Sequence, residues 1–266
     1  VNLSGGFLGA SAAKFNASTD DQAFTGSLTK PNDGGSYTLE CWICPDTISG
    51  GSTSLIFSDQ KFALRLNNQT ITFAPNYANN SGQTFATGNV IVSQKWQHIA
   101  VTYNHSTKDT NIYVQGKLVL NGTETSTSET TGGEVWSIGK KDDSPGNSEE
   151  FLGCMDEVRA WTTVRTVDQI RNDMFSSGTL QTATGLWARW QFDEGTGTTS
   201  DNAEGTAARD LTVTSDVWIG AGGWTTAEQN TLKMTGASKN LNYISGETIV
   251  DLQISSTGTT LNCVDV

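Results

Sequence analysis

Apolar residues recur at every second position through one short run after another, and turn-forming residues separate the runs. Residues 53–58 (Thr-Ser-Leu-Ile-Phe-Ser), 62–66 (Phe-Ala-Leu-Arg-Leu) and 69–73 (Gln-Thr-Ile-Thr-Phe) are divided by Asp59-Gln60 and Asn67-Asn68. Period-2 alternation bounded by turns is the pattern of a half-buried strand. Residues 111–114 and 117–120 flank Gln115-Gly116, which suits a two-residue hairpin turn. One helix stands out: Thr166-Val167-Asp168-Gln169 is a capping box, Ile170 and Met174 share a face, and Ser176-Ser177-Gly178 stops it. Many short strands with one short helix near 166–175 predict an all-β chain, an antiparallel two-sheet β-sandwich of jelly-roll type. The 266 residues divide into a sandwich over 1–224 and a β-rich C-terminal extension over 225–266.

Composition narrows the function. The formal charge is −12, from 28 acidic and 16 basic side chains, which disfavours a phosphate backbone as partner. No apolar run approaches the ~20 residues of a membrane span. The first residues lack the basic start and apolar core of a signal peptide, so a processed or excised beginning is expected. Ser and Thr make up about a quarter of the chain and charged residues 17%, a polar surface common in secreted and surface-exposed β-proteins. The six Asn-x-Ser/Thr sequons, at Asn2, Asn16, Asn68, Asn79, Asn104 and Asn121, are close to what chance supplies at this Ser/Thr content.

Two histidines leave little room for imidazole catalysis. His98 sits in an alternating strand pattern and reads as structural; His105 sits in a turn and reads as solvated. Of the four cysteines, Cys41 and Cys44 form a CxxC on a strand. Alternation sends their sulfurs to opposite faces, so they neither bond each other nor share a zinc. A Cys44–Cys154 bridge is open to the chain if those two strands are neighbours.

Five segments, in order, resemble laminin-G-like and pentraxin-like jelly rolls of the concanavalin A-like lectin/glucanase superfamily. They are Tyr37-Thr38-Leu39-Glu40-Cys41-Trp42-Ile43; Trp96-Gln97-His98-Ile99-Ala100-Val101-Thr102-Tyr103; Tyr113-Val114-Gln115-Gly116-Lys117; Ile138-Gly139 followed by residues 151–161 (Phe-Leu-Gly-Cys-Met-Asp-Glu-Val-Arg-Ala-Trp); and residues 185–198. Together they span about residues 10 to 224. Glu157 and Arg159, two apart, share a sheet face and can pair, Val158 fills the other face, and Trp161 closes an edge. That makes Asp156-Glu157 structural rather than a catalytic pair. The fold also hosts glucanases with an E-x-D-x-x-E strand, yet no Glu here is followed two residues later by Asp.

Residues 141–150 form the best candidate site. Asp142, Asp143, Asn147, Glu149 and Glu150 offer hard oxygen donors, and Gly146 allows a tight bend, which suits Ca²⁺. The resemblance implies the same: this is where pentraxins carry a calcium-binding loop, and it implies Asp59 near the remaining ligands. A structural calcium joining Asp20-Asp21 to Asp193, Glu194 or Asp201 is a second expectation of the resemblance. Glycan recognition asks for an exposed aromatic platform; Trp136 and Tyr77, with Trp224, lie beside turns, whereas Trp42, Trp96, Trp161, Trp187 and Trp190 fit core strands. Residues 225–266 alternate as strands between Gly and Ser-Thr turns. They read equally as opening rungs of a β-solenoid and as two extra strands packed on the sandwich, and the strand-like end hints at a strand donated to a neighbour.

These readings predict a non-catalytic, extracellular or cell- or virion-surface module that binds a glycan or an extracellular protein, with calcium and without nucleic acid or membrane insertion. Its rivals are a structural module of a surface filament, adhesin or viral fibre, with homo-oligomer or filament assembly, and a divergent polysaccharide-degrading enzyme.

Overall fold

The computed structural model describes residues 8–9, 11–15, 22–24, 34–46, 53–58, 62–75, 83–125, 137–139, 150–193, 199–200, 211–214, 218–219, 224–226, 231–234 and 251–254. Two eight-stranded sheets face each other. The first runs, edge to edge, β10 (Lys117–Thr123), β9 (Asp109–Val114), β8 (Gln97–Asn104), β3 (Tyr37–Pro45), β12 (Gly153–Trp161), β1 (Ala13–Phe15) and β16 (Trp218–Ile219), with β13 (Leu186–Trp190) added to β12. The second runs β14 (Thr199–Ser200), β15 (Leu211–Thr214), β2 (Gln22–Phe24), β11 (Ser137–Ile138), β4 (Thr53–Ser58), β5 (Ala63–Asn67), β6 (Thr70–Ala74) and β7 (Phe85–Asn89). Every described pairing within these two sheets is antiparallel. The predicted two-sheet sandwich is therefore the observed one.

Alternation explains where the core sits. Leu39, Cys41 and Ile43 of β3, with Met155, Val158 and Ala160 of β12, meet Leu64, Leu66, Ile71 and Phe73 of the other sheet. Full burial of each large apolar side chain contributes about 1.5–3 kcal/mol. Tyr37, Phe62, Phe73 and Tyr103 cluster at one end of this core, with ring centroids of Tyr37 and Tyr103 at 5.5 Å. The other face of β3, carrying Thr38, Glu40, Trp42 and Cys44, is buried as well. That face is covered by α1 (Val167–Asp173) and the segment following it. Helix α1 has the predicted capping box: Thr166 accepts from the Gln169 backbone N–H and Gln169 reaches back to the N–H of Thr166. Its Ile170 packs on Ala100 and Tyr113.

Local sequence also sets the turns. Gln115 and Gly116 both have positive φ, 52° and 66°, as a type I′ hairpin between right-twisted strands requires. Gly153 is obligatory for a different reason. Its φ is +148°, and a Cβ there would lie 2.4 Å from the Cys44 carbonyl oxygen.

Cys44 and Cys154 lie directly opposite on neighbouring strands, and both are buried thiols with no disulfide between them. The backbone supplies a reason. Asp46 donates to the Leu152 carbonyl at 3.0 Å, so the pair two residues away, Cys44–Cys154, is also of the wide hydrogen-bonded type. Pro45, without an N–H, takes the narrow position between them. Side chains of wide pairs start about 5.5 Å apart at Cβ, beyond the span a disulfide accepts without strand movement.

A third sheet stands apart from the sandwich strands: β17 (Trp224–Thr226), β18 (Thr231–Met234) and β19 (Asp251–Ile254).

Candidate functional site

The helix-side face is filled by a buried ionic lattice. Glu157 sits in a β-bulge of β12 with φ +49°. It accepts from Arg159 Nη2 at 2.9 Å and Nε at 3.2 Å, from Arg189 Nε at 2.8 Å and Nη2 at 3.0 Å, and from Gln191 Nε2 at 3.2 Å. The same arginines donate to the carbonyls of Asp173, Ser176 and Gly178. Arg165 bridges Glu40 Oε1, at 2.9 Å, to the Asp173 carboxylate and lies 3.8 Å over the Trp161 ring. Burial pushes the Glu157 carboxyl up, but Arg159 and Arg189 outweigh it and hold its pKa below the ordinary value. Three carboxylates and three guanidiniums thus neutralise one another out of water.

The expected Glu157–Arg159 pair is present and Val158 is in the core. Trp161 differs from expectation: β12 is flanked by β3 and β13 there, so Trp161 is fully buried between strands and donates to Glu40 at 3.1 Å. His98 is buried against Trp42, with burial and then Arg159 and Arg165 pushing its pKa well below the usual imidazole value. His105 is half-buried in its turn. Trp42, Trp96, Trp161 and Trp190 are buried and Trp187 half-buried. Arg165, Asp173 and Arg189 were invisible as partners of Glu40 and Glu157 in the sequence, because the pairs are up to 125 residues apart.

The second sheet has a different outer face. Ser137, Ala63 and Ala74 lie on one row of it, outside the core, and are small and buried. The next row carries the half-buried Arg65 and Thr72 with the exposed Ala86. Strand direction then sorts the candidate residues. β4 runs down to Ser58, β6 runs down to Ala74, and β11 starts at Ser137, opposite Ser58. The chain therefore passes to Asp59, to Tyr77 and back to Trp136 from one and the same end of the sheet. Stems at this end are tied together: Tyr37 Oη donates to the Pro75 carbonyl at 3.1 Å, and Gln83 Oε1 accepts from both the Thr125 N–H, at 2.8 Å, and its hydroxyl. Asp59, Tyr77 and Trp136 themselves lie outside the described residues, as does the side chain of Trp224.

The acidic segment leaves β11 further along, at the level of Ile56. Gly139 donates to Ile56, two residues up β4 from Ser58, and the Phe151 N–H donates to Gly139 at 2.7 Å, pinning the two ends of 140–150 together. Asp142, Asp143, Asn147 and Glu149 lie outside the described residues; Glu150 is half-buried at the stem. The donor set, oxygen throughout, fits a hard cation such as Ca²⁺, and Lys140 and Lys141 oppose it. Among the described residues there is no group of three His, Cys, Asp or Glu side chains placed to hold a metal. Asp193 Oδ1 accepts from the Ser11 N–H at 3.0 Å, tying it to the N-terminal segment; Asp20, Asp21, Glu194 and Asp201 lie outside the described residues. No described helix is long and apolar enough to cross a membrane.

Known proteins share this architecture. A candidate carbohydrate-binding protein from Bacteroides ovatus is similar with a TM-score of 0.62 and 20% identity over 81% of this chain. The match spans 60% of that protein's length. The heptameric SAP-like pentraxin of Limulus polyphemus is similar with a TM-score of 0.56 and 14% identity, over 80% of this chain and 95% of the pentraxin. No curated protein sequence matches. At these identities the structures testify to fold alone, but the family model for laminin-G-type domains matches residues 16–171. That is more than half of the chain, which thus belongs to the concanavalin A-like lectin/glucanases superfamily.

Proposed function

We propose that the chain is a non-catalytic, extracellular or surface-exposed binding module for a glycan or a glycan-bearing protein, and that its ligand sits at the end of the second sheet shared by Asp59, Tyr77 and Trp136. One observation carries this reading: three segments, which hold Asp59, Tyr77 and Trp136, leave the same sheet end, and the stems of the latter two are tied through Gln83 and Thr125. Aromatic faces beside hydrogen-bonding groups suit a sugar ring. The helix-side face is the weaker host, because its charged groups are already paired and dry. The names of the similar proteins support the same class. Calcium in this reading belongs to Asp142, Asp143, Asn147, Glu149 and Glu150, between the paired Gly139 and Phe151, where it would order the loop.

The test is a glycan array probed in calcium and again in EGTA, with the wild type, Trp136→Ala, Tyr77→Ala and Asp142→Ala. Binding abolished by either aromatic variant is expected, with EGTA and Asp142→Ala acting together or not at all. A blank array, or turnover of a polysaccharide, refutes the reading. A second reading, a structural module, is favoured by the separate third sheet.

A further inference from the structure

The third sheet has a mixed pattern. β17 pairs with β18 antiparallel, as Trp224–Met234, Thr225–Lys233 and Thr226–Leu232. β18 pairs with β19 parallel, and each residue meets the one twenty positions later: Thr231–Asp251, Leu232–Leu252, Lys233–Gln253 and Met234–Ile254. Alternation places Trp224, Thr226, Leu232, Met234, Leu252 and Ile254 on one face, and Thr225, Thr231, Lys233, Asp251 and Gln253 on the other. One face is thus mostly apolar and the other wholly polar.

The sequence repeats with the same step. Beyond Leu232/Leu252 and Met234/Ile254, a shift of twenty carries Thr235 onto Ser255, Leu241-Asn242 onto Leu261-Asn262, and Ile244 onto Val264. An ordinary crossover between two parallel strands needs a connection of a dozen or more residues, but it does not need the connection itself to repeat. Agreement between strand register and sequence period, through the connection as well as the strands, is the signature of a coil stacked on its own copy.

We infer that residues 231–254 trace one twenty-residue coil of a parallel β-solenoid and open the next, a second structural unit distinct from the binding module. β17 is the cap. Being antiparallel, it closes the first edge of the stack, whereas β19 has β18 as its only described partner and continues the parallel direction. The polar face of the stack, bearing Lys233 and Gln253 side by side, is the one suited to water or a polar partner. The apolar face is the one each new coil extends. This gives the chain a structural part independent of what the sandwich binds.

Paired cysteines in the full chain, in a Cys263→Ser background, test the register. On mild oxidation, Lys233→Cys with Gln253→Cys cross-links within the chain, read by intact mass and by thiols closed to alkylation. It does so at least about tenfold faster than Lys233→Cys with Asp251→Cys, which is two positions out of register. Asn242→Cys with Asn262→Cys cross-links as well, since a coil repeats through its connection. Equal rates for the in-register and shifted pairs overturn the parallel register. A silent Asn242/Asn262 pair beside a cross-linked Lys233/Gln253 pair reduces the unit to a plain crossover and overturns the solenoid. Neither result bears on glycan binding.

Discussion

Glu157→Gln is the sharpest perturbation of the sandwich. The substitution keeps shape and removes one charge from a site that is 1% exposed. Gln can accept at one oxygen only, whereas Glu157 accepts five N–H bonds through both of its oxygens. Its new amide would point donors at guanidinium donors. Arg159 would lose the Glu157 charge that, with Glu40, holds its pKa above the ordinary value against burial. Breaking a buried pair in this way costs about 3–5 kcal/mol. With a guanidinium m-value near 5 kcal/mol/M for a domain of this size, the midpoint falls by about 0.6–1 M. Acid should act on the same carboxylate. Its native pKa lies below the unfolded value of about 4.3, so the stabilisation is complete above that pH and lost as pH falls through the native pKa. Wild type therefore loses midpoint on acidification below about pH 4, and Glu157→Gln loses less. The exposed Asp168→Asn serves as control. A midpoint shift under about 0.2 M for Glu157→Gln, or an acid response equal to that of wild type, would refute a dry, charge-balanced lattice.

Two further outcomes follow from the strand register. Gly153→Ala forces a Cβ into the Cys44 carbonyl at a φ closed to other residues, so the central β3–β12 pairing must shift and stability falls by about 2 kcal/mol or more; thermal unfolding unchanged within a degree or two would contradict this. Cys44 and Cys154 have thiols pushed up to about 12, by burial first, so neither is alkylated by iodoacetamide at pH 8 in the native protein and both are in denaturant; peptide mapping that finds native labelling, or a bridge joining the two, would show that the strands open at this pair.

What the sequence revealed was what is local. The capping box of Thr166 and Gln169 and the Gln115-Gly116 turn need only neighbouring residues, and both were legible. Cys41 and Cys44 fall on opposite faces because alternation alone decides it, Cys41 in the core and Cys44 outside. What alternation cannot give is the kind of pair two strands make. Cys44 meets Cys154 as foreseen for neighbouring strands, but at a wide position set by where the hydrogen bonds fall. The bulge at Glu157 was hidden for a related reason: it breaks the period locally, and its compensation comes from Arg189 and Gln191, more than thirty residues on.

Strand direction matters most for the candidate site. In sequence, Asp59 and the 141–150 segment looked like parts of one calcium site, because each lies beside a turn and the resemblance joins them. β4 and β11 are antiparallel neighbours, so the chain steps past Ser58 and past Gly139 in opposite directions. Pairing Asp59 instead with Tyr77 and Trp136 requires no motif, only the alternating directions of β4, β5 and β6. The same reasoning leaves the helix-side face without a ligand role. A surface must exchange water for ligand to bind it, and that face has already exchanged its water for Arg159, Arg165 and Arg189. If the ligand binds at the second sheet as proposed, a substitution that weakens the lattice changes how much protein is folded without changing what the folded protein binds.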